Sequence, residues 1–226
     1  MAKHESTTRA RLLTEALRLF GENGFKATSV AEIEKASGLA PGGGGLYRHF
    51  ASKRDLLIAA VEHEAERNQA LLQRLAYIAA NDGPAATPKD IAWAGLERLR
   101  QERNLNRLIV RGLDDAPDLL ELAATNDIRP VHDALESWLR GQACTGWDTA
   151  ALAAVLAGAI THFWLLEDLF GEHPTGVTAE AYITTLAGLC STAFAHAPPP
   201  DPPTSATPAD RPRRRGYLNA EQRTVA

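Results

Sequence analysis

The chain has 226 residues, 45% of them hydrophobic and 23% charged, with a formal net charge of −4. The acidic total by itself argues against nonspecific nucleic-acid binding. The two cysteines, Cys144 and Cys190, lie far apart without metal-ligand spacing and read as reduced thiols.

In chain order, the first predicted element is a helix from Thr8 to Asn23. Ala10, Leu13, Ala16, Leu17 and Phe20 form its apolar stripe, and Gly24 closes it. Thr28 or Ser29 then caps a short helix with Glu32 in its first turn, and Val30, Ile33 and Ala36 recur at helical spacing. Gly38 ends that helix and Leu39 supplies the apolar contact after the cap. Pro41 suits the first turn of a second short helix. Within it Leu46 and Phe50 face inward, while Tyr47, Arg48 and His49 reach outward to phosphates. Ser52 caps the following long helix, whose first amides and Lys53 suit an anionic backbone. Two short helices around a glycine turn are the pattern of a helix-turn-helix, which sets one helix in the DNA major groove. The three helices pack around Leu13, Leu17, Phe20, Phe25, Ile33, Leu46 and Phe50.

Residues 8–60 resemble the DNA-binding domain of the TetR (tetracycline repressor) family of one-component bacterial regulators. The resemblance rests on the run from Ala16 to Phe25, on Thr28–Ser29–Val30, on the step from Ala36 to Gly38, and on Leu46 to Phe50 followed by Ser52–Lys53. It implies a homodimer whose long C-terminal domain binds a small molecule and so moves two recognition helices. It also implies that Tyr47, His49 and Lys53 hold the phosphate backbone. The chain departs from the family at Gly42, Gly43, Gly44 and Gly45, where side chains normally read base edges, and the turn is about two residues longer than usual. Each interior glycine costs a helix about 0.8–1 kcal/mol relative to alanine, so the start of the recognition helix is expected to be loose or extended until DNA orders it. Either bare backbone approaches DNA closely, with Arg48, Tyr47 and DNA shape giving specificity, or the helix is degenerate and reads poorly. The first reading is favoured. The DNA-contact set is then Thr28, Ser29, Gly42, Gly43, Gly44, Gly45, Tyr47, Arg48, His49 and Lys53.

Charge is unevenly spread. Residues 1–55 carry nine Lys/Arg against six Asp/Glu, whereas residues 56–197 carry ten against nineteen. A basic head on an acidic body steers one face toward DNA. The division expected is a DNA-binding domain at 1–55, a ligand-binding and dimerisation domain at 56–197, and a disordered Pro/Arg-rich tail at 198–226.

The body shows no period-two alternation, so the fold class is all-α. Breaks are expected at Asn81–Pro84 and Asp114–Pro117, and Pro130 starts a further segment ending at Gly141. Two alanine-rich helices, Asp148 to Phe170 and Thr178 to His196, would form a four-helix bundle across a two-fold axis. Trp93, Arg111, His132, Trp138, His162, Phe163 and Trp164 are the candidate lining of an amphipathic pocket, although each is also compatible with ordinary packing. No His/Cys/Asp/Glu cluster has metal-ligand spacing, and the glycine run lacks the Gly-Lys-Ser/Thr ending of a phosphate loop. No catalytic constellation, metal or cofactor is expected, and the chain is read as non-enzymatic. No apolar stretch is expected to approach a charge-free membrane span, which gives a soluble, cytoplasmic protein. The expected partners are a double-stranded DNA operator, a small-molecule effector and a second copy of the chain. The competing class is a small-molecule carrier with degenerate DNA recognition.

Overall fold

The computed structural model describes residues 2–80, 86–110, 117–142, 144 and 146–196. Among the described residues there are helices and no strand. Helix α1 spans Ala2–Asn23 and α2 spans Val30–Ala36; a single 3-10 turn follows at Leu46–Arg48, and α3 runs Lys53–Ala80. The body continues with α4 (Pro88–Gln101), α5 (Arg103–Val110), α6 (Pro117–Ala123), α7 (Arg129–Arg140), α8 (Thr149–Phe170) and α9 (Ala179–Ala195). The expected breaks at 81–84 and 114–116, and the tail at 198–226, lie outside the described residues.

Local rules explain most element ends. Gly24 (φ +88°) terminates α1, its amide donating to the Phe20 carbonyl at 2.9 Å. Ser29 forms a reciprocal capping box with Glu32 at the start of α2, and Thr87 forms one with Asp90 at the start of α4. Asp148 and Thr178 cap α8 and α9. Between α6 and α7 the chain does not break. A π-helical turn at Ala124–Ile128 carries it forward into α7, and Pro130, which has no amide to donate, sits where that wider turn passes into the α-helix.

The second helix of the expected helix-turn-helix is reduced to a single turn and does not begin at Pro41. Residues 40–45 form turns, with Gly42 and Gly44 both at φ +71°, and only Leu46–Arg48 coils, as one 3-10 turn. Four glycines remove the propensity that Pro41 alone would start, and a carboxylate elsewhere in the head captures the amides a helix would use.

Leu12, Leu13, Leu17, Phe20, Ile33, Leu46 and Phe50 are buried in one cluster that joins α1, α2 and the 3-10 turn. That core extends past residue 55. Leu56, Leu57 and Val61 of α3 and Leu105 and Leu108 of α5 are part of it. Two further clusters fill the body, one around Leu96, Phe163, Trp164 and Ile183, the other around Trp138, Leu139 and Ala153.

Candidate DNA interface and effector cavity

The tetraglycine segment is a fixed turn. Glu34 is fully buried, and its carboxylate accepts the Gly42 amide at 2.7 Å and the Leu46 amide at 3.0 Å. Two hydrogen bonds to a charged acceptor hold both ends of the segment, which corrects the expectation of a loose or extended start. Gly43 and Gly45 complete it, the Gly43 amide donating to the Ala40 carbonyl at 3.0 Å. Beyond the turn Tyr47 is 57% exposed, Arg48 is exposed and His49 is half-buried. These three follow a strip of glycine backbone that is exposed at Gly42 and Gly43 and half-buried at Gly44 and Gly45.

The other three contact candidates are hydrogen-bonded to other residues of the head. Thr28 is 1% exposed, and its hydroxyl bonds the Gly24 carbonyl at 2.8 Å and the Leu19 carbonyl at 3.2 Å. Ser29 is committed to Glu32 through the capping box. The Lys53 ammonium donates to the carbonyls of Phe25 (2.8 Å) and Thr28 (2.9 Å) and lies 4.4 Å from the centre of the Phe25 ring. Burial pushes the Lys53 pKa below its ordinary value. Lys53 thus ties the start of α3 to the loop before α2.

A cavity of about 120 Å³ lies between α4, α7, α8 and α9. Ile91, Leu99, Leu135, Ile160 and Leu186 make its apolar walls, and Trp138 is the aromatic residue on it. Of the expected pocket residues, Trp138 alone lines this cavity. Its indole N–H is used elsewhere, donating to the Ala86 carbonyl at 3.1 Å. Trp93 is packed against the α4–α8–α9 core, and Phe163 is buried between the rings of His173 and Tyr182. Trp164 lines a separate recess with Arg107 and Asp168. His162 is exposed, His132 is half-buried off the cavity wall, and Arg111 lies outside the described residues. The body sequence is aromatic-poor at this site because alanine and leucine build the walls.

The polar wall residues not anticipated are Arg98, Thr161 and Cys190. Arg98 donates to Asp127 in the π-helical turn, and its Nη2 lies 2.8 Å from Glu102 Oε2. All three side chains are at least nine-tenths buried. The Glu102 oxygens accept no well-directed hydrogen bond among the described residues despite that short distance. Burial is the main reason its pKa is pushed up to about 8; Arg98 opposes the shift, and Asp127 and Glu64 add to it. The i,i+4 spacing of Arg98 and Glu102 was visible in the sequence, but Asp127 arrives from a distant segment.

The cavity wall is mechanically joined to the head. Beyond Glu102, α4 passes into α5, and α5 lies against α1 so closely that a Cβ on Gly21 would come within 2.6 Å of the Asn104 carbonyl oxygen. Asp168 of α8 receives Arg103 at 2.5 Å and Arg107 at 2.7 Å from α5, and Glu167 receives Arg100 of α4 at 2.7 Å. Helices α8 and α5 therefore share charged, partly buried couplings.

Helices α8 and α9 expose apolar and small residues alongside the threonines and serine of α9. Val155 and Leu189 are 65% and 64% exposed, next to the exposed small residues Ala151, Ala154, Gly158 and Gly188. Helix α8 is long and apolar enough to cross a membrane by length and composition, with a mean hydropathy of 1.8 over its most apolar stretch. That corrects the expectation that no stretch approaches a span. The charges on α8, Glu167 and Asp168, both fall in the last turn, where they bind α4 and α5.

Comparison with known proteins matches this geometry. Residues 12–60 match the N-terminal domain of the bacterial regulatory proteins of the tetR family. A 67-residue stretch is 39% identical to the HTH-type transcriptional regulator UidR of Escherichia coli K12, spanning 30% of this chain and 33% of that protein. The match thus covers about a third of that relative's length. The HTH-type transcriptional repressor AcnR of Corynebacterium glutamicum is 24% identical over 170 residues, 67% of this chain and 89% of its own. A TetR transcriptional regulator from Chloroflexus aurantiacus has the same fold, with a TM-score of 0.64 at 24% identity over 84% of this chain and 97% of that one. Residues 12–60 thus carry a domain of the tetR family, and the chain as a whole is similar in fold to solved TetR-family regulators.

Proposed function

We propose that the protein is a homodimeric transcriptional repressor of the cytoplasm that leaves its operator when a small, largely apolar effector fills the cavity behind α4. The observation that carries the reading is the continuous link from cavity to head: α4 walls the cavity, α5 extends it, and α5 packs without space on α1. A ligand that prefers one position of α4 shifts the spacing of two heads, and only that differential preference can move the equilibrium.

Double-stranded DNA is the partner of the face built by Tyr47, Arg48 and His49. The glycine turn lets backbone come close to the duplex, and the side chains beside it supply phosphate contacts and local charge. Pairing through the exposed faces of α8 and α9 gives the two-fold symmetry that a palindromic site requires. The name of AcnR supports repression as the sign of regulation.

Selection from a random-sequence duplex library tests this reading. The expected product is a palindrome with two half-sites about one helical turn or more apart. Enrichment of no sequence would overturn it and favour the carrier, a reading prompted by the missing side chains at Gly42–Gly45.

A further inference from the structure

One face of α4 walls the effector cavity, and its central position has no side chain. Pro88, Ile91, Ala92, Gly95 and Leu99 recur at helical spacing and all border the cavity. Gly95 stands in the middle of that stripe, half-buried. A Cβ built on it would lie 3.7 Å from Cγ2 of Ile160, a wall residue of α8 and its nearest neighbour among the described residues outside its own helix. That is ordinary contact distance. The backbone does not call for glycine, since the position is helical and not left-handed. Alanine would fit there and would be the better helix former. What the glycine gives is room.

The walls hold no charge in reserve for a ligand. Arg98 is the one charged residue among them, and its Nη2 is held by Asp127 and Glu102. The Trp138 indole N–H donates to the Ala86 carbonyl, and burial pushes the Cys190 thiol pKa up, which keeps it neutral. The rest of the wall, apart from Thr161, is aliphatic. An ion entering this space would leave its water without gaining a partner charge. At about 120 Å³ the space suits a molecule of about one aromatic ring, since a cavity of about 150 Å³ binds benzene.

We propose that Gly95 sets the size limit of the cavity, which admits an uncharged, apolar molecule of single-ring size whose bulk occupies the space a side chain at position 95 would take. This rests on the effector-responsive reading and names the ligand class and a specificity-determining residue of that same site. The helix stability given up at Gly95 is the cost of that room.

Calorimetric titration of the full chain with benzene, toluene, benzoate and benzylammonium tests it. Toluene is expected to bind about fourfold tighter than benzene, the worth of one more buried carbon. Both ions are expected to bind more weakly than either. Gly95→Ala is expected to weaken toluene by about tenfold or more, the cost of one carbon too many in an apolar pocket. Benzene should weaken less, so that the preference for toluene is lost. The denaturation midpoint of the variant should equal or exceed the parent's, which separates a filled cavity from a damaged fold. In the parent, nuclear Overhauser contacts are expected from toluene to the Gly95 α-protons and the Ile160 methyl groups, a readout that does not depend on the variant. A toluene preference kept in Gly95→Ala, a lowered midpoint, absence of the Gly95 contacts, tighter binding of either ion, or binding of none of the four would each overturn the proposal. DNA affinity measured alongside separates the two readings. Toluene that meets Gly95 and leaves DNA affinity unchanged removes the effector role and leaves the size limit standing.

Discussion

The Glu34 carboxylate and the Gly42 amide, eight residues apart, meet at 2.7 Å, and the same carboxylate reaches the Leu46 amide at 3.0 Å. A buried acid on α2 thereby takes the place of the helix that four glycines do not form.

Removing that acceptor should loosen the DNA-facing turn. Glu34→Ala is expected to lower unfolding free energy by about 2–3 kcal/mol, since two amides lose a charged acceptor. Gly44→Ala should cost about 1–2 kcal/mol for a different reason: its φ is +71° and the space around it is open, so the penalty is backbone strain alone. Urea denaturation followed by circular dichroism checks both. An unchanged midpoint in either variant would remove the corresponding explanation.

The approach of α1 to α5 makes Gly21 a sensitive position. In Gly21→Ala the new methyl meets main-chain atoms of Asn104, which yield only by moving a helix. A loss of about 1–3 kcal/mol is expected, in line with overpacking in a close-packed interior. DNA affinity should fall as well, because the displaced α5 packs on α1 of the head. A variant as stable and as active as the parent would show that this contact is slack.

Glu102 should leave a signature in the pH dependence of stability. Its folded pKa of about 8 lies above the ordinary 4.5, so between those values the folded state holds more protons than the unfolded chain. Stability from this group is then full below about pH 4.5 and falls as pH rises toward 8. Glu102→Gln, which keeps the shape without the titration, should flatten that decline and gain relative to the parent at pH 8. Denaturation midpoints across pH 5 to 9 read the difference. Parallel curves for the two proteins would contradict the assignment.

The second copy is expected on the α8–α9 face. Leu189→Glu and Gly158→Arg place charge or bulk on exposed positions of that face, so the fold of one chain should survive. Sedimentation equilibrium should show a monomer at micromolar concentration with the helical content kept. DNA affinity should drop by more than about tenfold, because a single small head holds few phosphates. A dimer in both variants would move the interface elsewhere.

Much of the head could be read from sequence because its signals are local. Gly24, the Ser29–Glu32 box and the stripe through Leu13, Leu17 and Phe20 each depend on neighbours within one or two turns. The recognition segment was misread because Pro41 is a local start signal, whereas the capture of Gly42 and Leu46 by Glu34 is set by how α2 packs. The internal bonds of Lys53 were not legible either, because its acceptors, Phe25 and Thr28, are 28 and 25 residues away. The cavity was the least legible part. Large aromatics drew attention, yet Trp93, Phe163 and Trp164 went into packing, and the walls came from alanine and leucine positions that only helix crossing brings together. Arg98 reads as half of an ordinary i,i+4 pair until Asp127 joins it.

Fluorescence anisotropy tests the central claim most directly, with the full chain titrated onto the selected palindrome, onto one half-site and onto a scrambled duplex across a salt series. The account expects the palindrome to bind at least about a thousandfold tighter than the scramble, with the half-site between them. Affinity for all three should fall steeply as salt rises. Equal affinity for palindrome and scramble at every salt concentration would contradict a sequence-reading regulator.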